Sequence, residues 1–349
     1  MMINSHLGTL LASLLAGAAA CGLLAGGMLL AEDFPEIAVS NGPLRVKLYL
    51  PDPKNGYYRG TRFDWSGVIA SLEYKGHNYY GPWFDKLDPP VHDYVFSGTQ
   101  VVAGACSAIS GPVEEFQSNE AALGFDEAKV GGTFIKIGVG VLRKTGEKYD
   151  PYTLAEIVDP GKWTVKREHN AVEFIQELTD PSSGYGYIYT KRVRLLESKP
   201  EMVLEHSLKN TGRRSIQSSV YNHNFLVLDK QPPGPDFSIS LPFQIRPIQA
   251  PDEPFAEARA NQIVFTKVLE NEDVVEIPLR GFGESAQDYD IRIENRKVGA
   301  GMRIRGDRPL SFANFWSMRN VLAMEPFISM TIEPGSEFTW QIHYQYYTL

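Results

Sequence analysis

The chain has 349 residues, 43% of them apolar and 22% charged, which excludes a disordered polymer and fits a folded body. Its formal net charge of −8, with no Lys/Arg-rich block, excludes nucleic acid as a partner, because an acidic surface repels phosphate backbones. Aromatic residues at 11% suit strands, and they also suit a carbohydrate cleft, where flat rings stack on the C–H faces of sugars.

Residues 1–31 contain no Asp, Glu, Lys or Arg, and residues 7–31 are almost entirely Leu, Ala and Gly until Glu32 and Asp33 supply the first charges. The run is long enough to cross a membrane. Small residues end it at Ala20 and again at Ala31, as at an export-signal cleavage site, although only the terminal amine and His6 stand where a positive front end is usual. Ala18-Ala19-Ala20-Cys21 also sets small residues before a Cys, as a lipoprotein signal does. A cleaved leader, a retained membrane anchor and a lipid anchor all place the body outside the cytoplasm. A buried helix of a cytosolic enzyme is the fourth reading. The expectation is an exported body at 32–349, with membrane anchoring through residues 1–31 left open. Of the 2 Cys, Cys106 stands alone if Cys21 is removed or lipidated, so no internal disulfide and no Cys-based zinc site is expected. Ala105 and Ser107 beside Cys106 give no base or nucleophile signature, and it reads as a small core residue.

From residue 44 onward the pattern is strand, turn, strand. Alternating or β-branched segments stand at 44–50, 67–74, 79–84, 133–142, 163–167, 171–178, 186–196, 202–209 and 216–227. After the Pro-rich break at 231–235 they continue at 263–268, 274–279, 289–295, 301–304, 311–317, 327–332 and 338–347. Pro51-Asp52-Pro53, Lys75-Gly76-His77-Asn78, Asn210-Thr211-Gly212 and Glu333-Pro334-Gly335-Ser336 punctuate them as turns. Only 112–123 and 151–157 look briefly helical. No low-complexity linker and no fixed-period repeat divides 32–349. The fold class is all-β, a single large antiparallel β-sandwich of many strands in two layers.

Three segments carry candidate chemistry. Gly56-Tyr57-Tyr58-Arg59-Gly60-Thr61-Arg62-Phe63-Asp64-Trp65-Ser66-Gly67 packs Arg59, Arg62 and Asp64 among aromatics. An Arg fork donates to paired sugar hydroxyls and an Asp accepts from them, while the plainer reading is an Arg–Asp pair tying a loop to the body. Val220-Tyr221-Asn222-His223-Asn224-Phe225 sets a His inside a strand between Asn222 and Asn224, where it can exchange a proton near neutral pH or be fixed by a backbone carbonyl. Val321-Leu322-Ala323-Met324-Glu325-Pro326-Phe327 places a carboxylate directly after an apolar run. Burial there would raise its pKa into the range of a useful base, and a strand-end pair with Arg319 or Arg303 is the ordinary alternative. His92, in the loop Pro89-Pro90-Val91-His92-Asp93-Tyr94, is within reach of a cleft. The 7 His show no metal-ligand spacing, and there is no P-loop, dinucleotide fingerprint, nucleophile elbow or His-x-x-x-His pair.

The run Met202-Val203-Leu204-Glu205-His206-Ser207-Leu208-Lys209-Asn210-Thr211-Gly212, followed by Tyr221-Asn222-His223-Asn224-Phe225, resembles the middle of aldose 1-epimerases. Leu322-Ala323-Met324-Glu325, then Ile332-Glu333-Pro334-Gly335-Ser336-Glu337 and the closing strand, is similar to that family's C-terminal end. The resemblance covers roughly residues 186–349, and it is to a divergent, exported branch of the galactose mutarotase-like superfamily. It implies the supersandwich fold and a mutarotase activity on a sugar or a glycan end. Glu325 then takes the proton of the anomeric hydroxyl, and His223 gives one to the ring oxygen from the other side of the sugar. Arg59 or Arg62 holds substrate hydroxyls, with Asp64, Asn222 and His92 as further binding candidates. No metal or organic cofactor is implied, since the open-chain aldehyde is a stable species. A carbohydrate-binding module or sensor of the same fold without catalysis is the alternative. An accessory domain of a polysaccharide lyase or hydrolase is a third, and a lyase would be expected to add an α-helical toroid that is not seen.

Overall fold

The computed structural model describes residues 34–117, 121–248 and 255–349, so the leader-or-anchor readings of residues 1–31 lie outside the described residues. Among the described residues two large antiparallel sheets face each other. The ten-stranded sheet includes Tyr185–Leu195, Glu201–Asn210 and Glu337–Thr348 as successive neighbours. The six-stranded sheet runs in the order Arg246–Pro247, Val274–Arg280, Phe312–Met318, Val321–Ile332, Ile216–Phe225, Gly111–Gln117. Three smaller sheets, of four, three and three strands, flank them. Residues 34–349 form one compact unit.

Alternation decides which side chains go where. In Ile216–Phe225 the set Val220, Asn222, Asn224 points between the sheets, and Tyr221, His223, Phe225 point to the outer face. The inner set meets apolar partners such as Leu204, Leu208, Ile328 and Met330 in one continuous core. Tyr344 Oη on the ten-stranded sheet donates to Asn224 Oδ1 on the six-stranded sheet at 2.9 Å, which fixes how the layers face. Residues 57–65 and 83–109 then fold over the outer face of the six-stranded sheet, with a second apolar cluster that includes Phe63, Trp65, Trp83, Val101 and Phe225 beneath them, while Ile69, Leu72, Tyr79 and Tyr80 between those stretches belong to the core between the sheets. That cover turns the outer face into a site.

Five readings from sequence need correction. Residues 112–123 do not begin as a helix: Gly111–Gln117 is a strand paired with the His223 strand, with Glu115 opposite Tyr221. Residues 151–157 form no helix, and only Ile157 begins a strand. Residues 79–84 hold no strand, although Tyr79, Tyr80 and Trp83 are buried. Residues 133–142 are a hairpin, Thr133–Lys136 against Gly140–Arg143. Gly138 turns it at φ 81°, where a Cβ would stand 2.6 Å from Asp64 Oδ1, so only glycine fits. The strand read at 327–332, the last of the six-stranded sheet in chain order, also begins earlier than its alternation suggests. It spans Val321–Ile332 and puts Glu325 in mid-strand, not at an end.

Candidate functional site

Three neighbouring strands of the six-stranded sheet each send a polar side chain to the same point on its outer face. His223 comes from Ile216–Phe225, Glu325 from Val321–Ile332 and Asn314 from Phe312–Met318, where Asn314 is directly opposite Glu325 in register. They lie in a cavity of about 360 Å³, walled by Trp83, Tyr94, Tyr152, Phe312, Trp316 and Phe327. That volume is in the range of small-molecule sites.

Glu325 Oε1 lies 3.2 Å from His223 Nε2. Asn314 Nδ2 donates to Glu325 Oε2 at 3.1 Å. The imidazole stacks face to face on Phe225, with ring centroids 3.6 Å apart, and the edges of Phe63 and Trp316 close on it. His223 Nδ1 is buried without a partner. Burial pushes the Glu325 carboxyl up from 4.5 to about 7, against the opposing pull of the Asn314 hydrogen bond and the Arg62 charge. Burial, and then Arg62, hold the imidazole well below its ordinary range. The contact is therefore a neutral imidazole beside a carboxyl that changes state near neutrality, not an ion pair. Sequence resemblance suggested an acid and a base on opposite sides of a sugar. The structure sets them side by side on adjacent strands.

A second charged group supports the cavity wall. Arg62 Nε donates to Glu115 Oε2 at 2.8 Å, Lys136 Nζ to Glu115 Oε1 at 3.2 Å, and the Tyr221 hydroxyl also donates to Glu115. Arg62 Nη2 donates to Tyr221 Oη at 3.2 Å, and the guanidinium sits over the rings of Phe63 and Tyr152 at 4.4 and 4.5 Å. Burial works to raise the Glu115 carboxyl, but Arg62 and Lys136 hold it below its usual range.

The other sequence candidates fall elsewhere. Arg59 is exposed, donates to the Lys54 carbonyl at 2.8 Å and does not line the cavity. Arg59→Ala is expected to shift unfolding free energy in a urea titration by no more than about 0.5 kcal/mol and to leave sugar affinity unchanged. Asp64 and Asn222 point between the sheets. Asp64 accepts from Ser66 N and from Tyr189 Oη, both at 2.9 Å, and Asn222 Nδ2 donates to Glu114 Oε1 at 2.9 Å. His92 holds Asp150 at 2.8 Å and lines a neighbouring cavity of about 620 Å³, separated from the His223 cavity by Pro151 and Tyr152. Arg319 and Arg303 do not reach Glu325: they donate to the Asn271 carbonyl and to Asp290. Sequence reasoning missed Glu115, Asn314, Trp316 and Glu276. Alternation in 312–318 is the signal that would have set Phe312, Asn314 and Trp316 on one face. Among the described residues no cluster of three or more His, Cys, Asp or Glu is arranged to hold a metal.

Neither a family model nor a curated protein matches the sequence. Solved structures do. The chain is similar to a galactose mutarotase-like protein from Clostridium acetobutylicum, with 12% identity, a TM-score of 0.51 and coverage of 90% of this chain and 95% of that one. It is similar to the aldose epimerase homologue from C. elegans, with 14% identity, a TM-score of 0.51 and coverage of 90% and 99%. A galactose mutarotase related enzyme from Lactobacillus acidophilus gives 12% identity, a TM-score of 0.50 and coverage of 90% and 97%. The chain has the galactose mutarotase-like fold. At these identities the likeness is one of fold, and function has to be argued from the site. Within the galactose mutarotase-like sandwich of this chain, the cavity opens on the outer face of the six-stranded sheet.

Proposed function

We propose that the chain binds an aldose in the His223–Glu325 cavity and interconverts its α and β anomers by acid–base ring opening. The observation that carries this is a buried carboxyl 3.2 Å from a buried imidazole in one cavity, with burial pushing the carboxyl up to about 7 and the imidazole well below its ordinary range. The proposed mechanism gives this pair one proton to share near neutral pH. Ring opening moves one proton off the C1 hydroxyl and one onto the ring oxygen while the C1–O bond of the ring breaks and the C1 carbonyl forms. Both oxygens are bonded to C1, so two groups side by side reach them together. Rotation about C1–C2 and the reverse proton transfers close the ring on the other face.

Glu325 as base and His223 as acid is one placement of the shared proton. Neutral His223 with protonated Glu325 is the other, and it is the state left after each opening. Burial favours this uncharged arrangement. Arg62, fixed by Glu115 and Tyr221, presents its remaining donors to sugar hydroxyls, and the aromatic walls suit the C–H face of a pyranose. Solved structures of the same fold, described as aldose epimerase homologues or galactose mutarotase-like proteins, support the sugar reading.

The test is polarimetry on freshly dissolved α-glucose and α-galactose, with a panel of other aldoses beside them. Saturable binding in calorimetry with no turnover of any aldose would leave the non-catalytic binding module as the function. The shared proton also fixes the pH profile. The enzyme-dependent rate is expected to fall as pH rises through about 7, where Glu325 loses the proton, and to hold at lower pH until His223 gains a second one. A rate that climbs steadily from about pH 6 to about pH 8.5, as for a group active only when deprotonated, would rule out the one-proton pair.

A further inference from the structure

The charges lining the cavity are not balanced. Glu115 is met by Arg62 and Lys136, and Asp93 accepts from Ser107 Oγ at 2.6 Å with Arg62 at 3.7 Å. Glu276, exposed on Val274–Arg280 and lining the same cavity, has no ion-pair partner among the described residues. Among the described residues the polar contact of its carboxylate is Asn314 Nδ2 at 3.4 Å, from the amide that also reaches Glu325 at 3.1 Å. Asn314 therefore bridges the two carboxyls, and its Oδ1 is buried with no partner.

Three rings stand on this side of the cavity nearly perpendicular to one another. Trp83 and Tyr94 are 5.8 Å apart at 89°, Trp83 and Trp316 5.9 Å at 79°, and Tyr94 and Trp316 5.9 Å at 67°. The Tyr94 hydroxyl is pushed up to about 12, by burial first and then by the negative charges of Asp93 and Glu276. Ring faces, a carboxylate without a counter-ion and an unused amide oxygen are the surroundings that draw an ammonium group and repel an anion.

We propose that the aldose taken by this cavity carries a protonated amino group next to its anomeric carbon, as in a 2-amino-2-deoxyaldose, held by Glu276, Asn314 Oδ1 and the rings of Tyr94 and Trp316. The proposal rests on the epimerase reading for the position of the anomeric carbon and adds the substrate class to it. Asn314 sets Glu276 one hydrogen-bonding group away from Glu325, and with C1 held at Glu325 and His223 the proposal places the amine on the carbon next to C1. The same charges disfavour sugar phosphates and uronic acids.

The experiment compares glucosamine, N-acetylglucosamine, glucose and glucose 6-phosphate at about pH 6.5, where the amine is charged. Anomer exchange is followed by NMR magnetisation transfer and binding by calorimetry. Glucosamine is expected to exceed glucose in kcat/KM by at least about tenfold, with acetylation removing the gain and the phosphate ranking last. Glu276→Gln, at an exposed position that the fold tolerates, is expected to bring the glucosamine-to-glucose ratio close to one. Equal use of glucose, or a ratio that Glu276→Gln does not change, overturns the proposal while leaving the epimerase reading intact. If no sugar is turned over, the epimerase reading falls, and the same ratio of calorimetric affinities decides the substrate class by itself. If none binds, both fall.

Discussion

Glu325→Gln is expected to slow anomer interconversion at least about a hundredfold near neutral pH, and also to make the protein more stable at alkaline pH. The loss of rate follows because the amide can neither give nor take the proton, while its oxygen still accepts from Asn314. The gain in stability follows from burial. The folded carboxyl titrates near 7 instead of 4.5. A group whose pKa is higher in the folded state adds stability only while it is protonated. That contribution is whole below about pH 4 and is lost as pH rises through about 7. Above that, the wild-type fold confines a carboxylate that water would solvate better, and the amide does not. A shift of this size corresponds to at most about 3 kcal/mol, with a gap nearer 1–2 kcal/mol once the cavity's own hydrogen bonds are allowed for. Urea unfolding of both proteins at about pH 5 and about pH 8 reads it. The variant should gain on the wild type as pH rises. A constant gap would mean that Glu325 is not ionised in a confined setting.

Lys191→Met is expected to cost about 3–5 kcal/mol of stability at neutral pH with no direct contact to the cavity. Lys191, from Tyr185–Leu195, donates to the Ser66 carbonyl at 3.0 Å and to the Glu114 carboxylate, with His206 Nε2 2.8 Å from the same carboxylate. Glu114 and His206 are wholly buried between the sheets. Burial works to raise the Glu114 carboxyl, but Lys191 and His206 overcome it and hold the group low. Burial raises nearby Asp64, and Lys191 opposes that too. Without the ammonium, two confined carboxyls lose their cation. The cost should shrink as pH falls and they protonate, and Glu114→Gln added to Lys191→Met should recover a large part of it. Equal costs in the single and double variants, measured by urea unfolding, would mean that only packing was lost.

Much of this architecture was legible in local pattern. The period-two alternation of 216–227 places His223 on a strand, because the strand's inner face needs a continuous apolar set, and the apolar run before Glu325 marks that carboxyl for burial. Other features depend on partners far away in the chain. Pro112-Val113-Glu114-Glu115 has the proline and acidic residues of a helix start, yet pairing with the His223 strand wins. Arg59 and Arg62 have the same chemistry and nearly the same neighbours, and only the path of the covering segment decides that Arg62 enters the cavity. Trp83, Tyr94 and Trp316 come from separate parts of the chain and meet only after the cover folds onto the sheet. Alternation becomes readable again only at Phe327, after Pro326, so local pattern starts the strand there and leaves Glu325 before it, whereas pairing with Phe312–Met318 carries the strand back to Val321.

Glu114 and Glu115 are consecutive, and the pleat sends one into the sandwich and the other to the cavity wall. Each meets cations suited only to its own side: Lys191 within, Arg62 and Lys136 without. Loss or gain of a single residue in Gly111–Gln117 would therefore exchange the two carboxylates and mismatch both sides at once. Descendants of this chain can vary the cavity by replacing side chains. They cannot vary it by sliding this strand, so the spacing of 111–117 is bound to both the interior and the site.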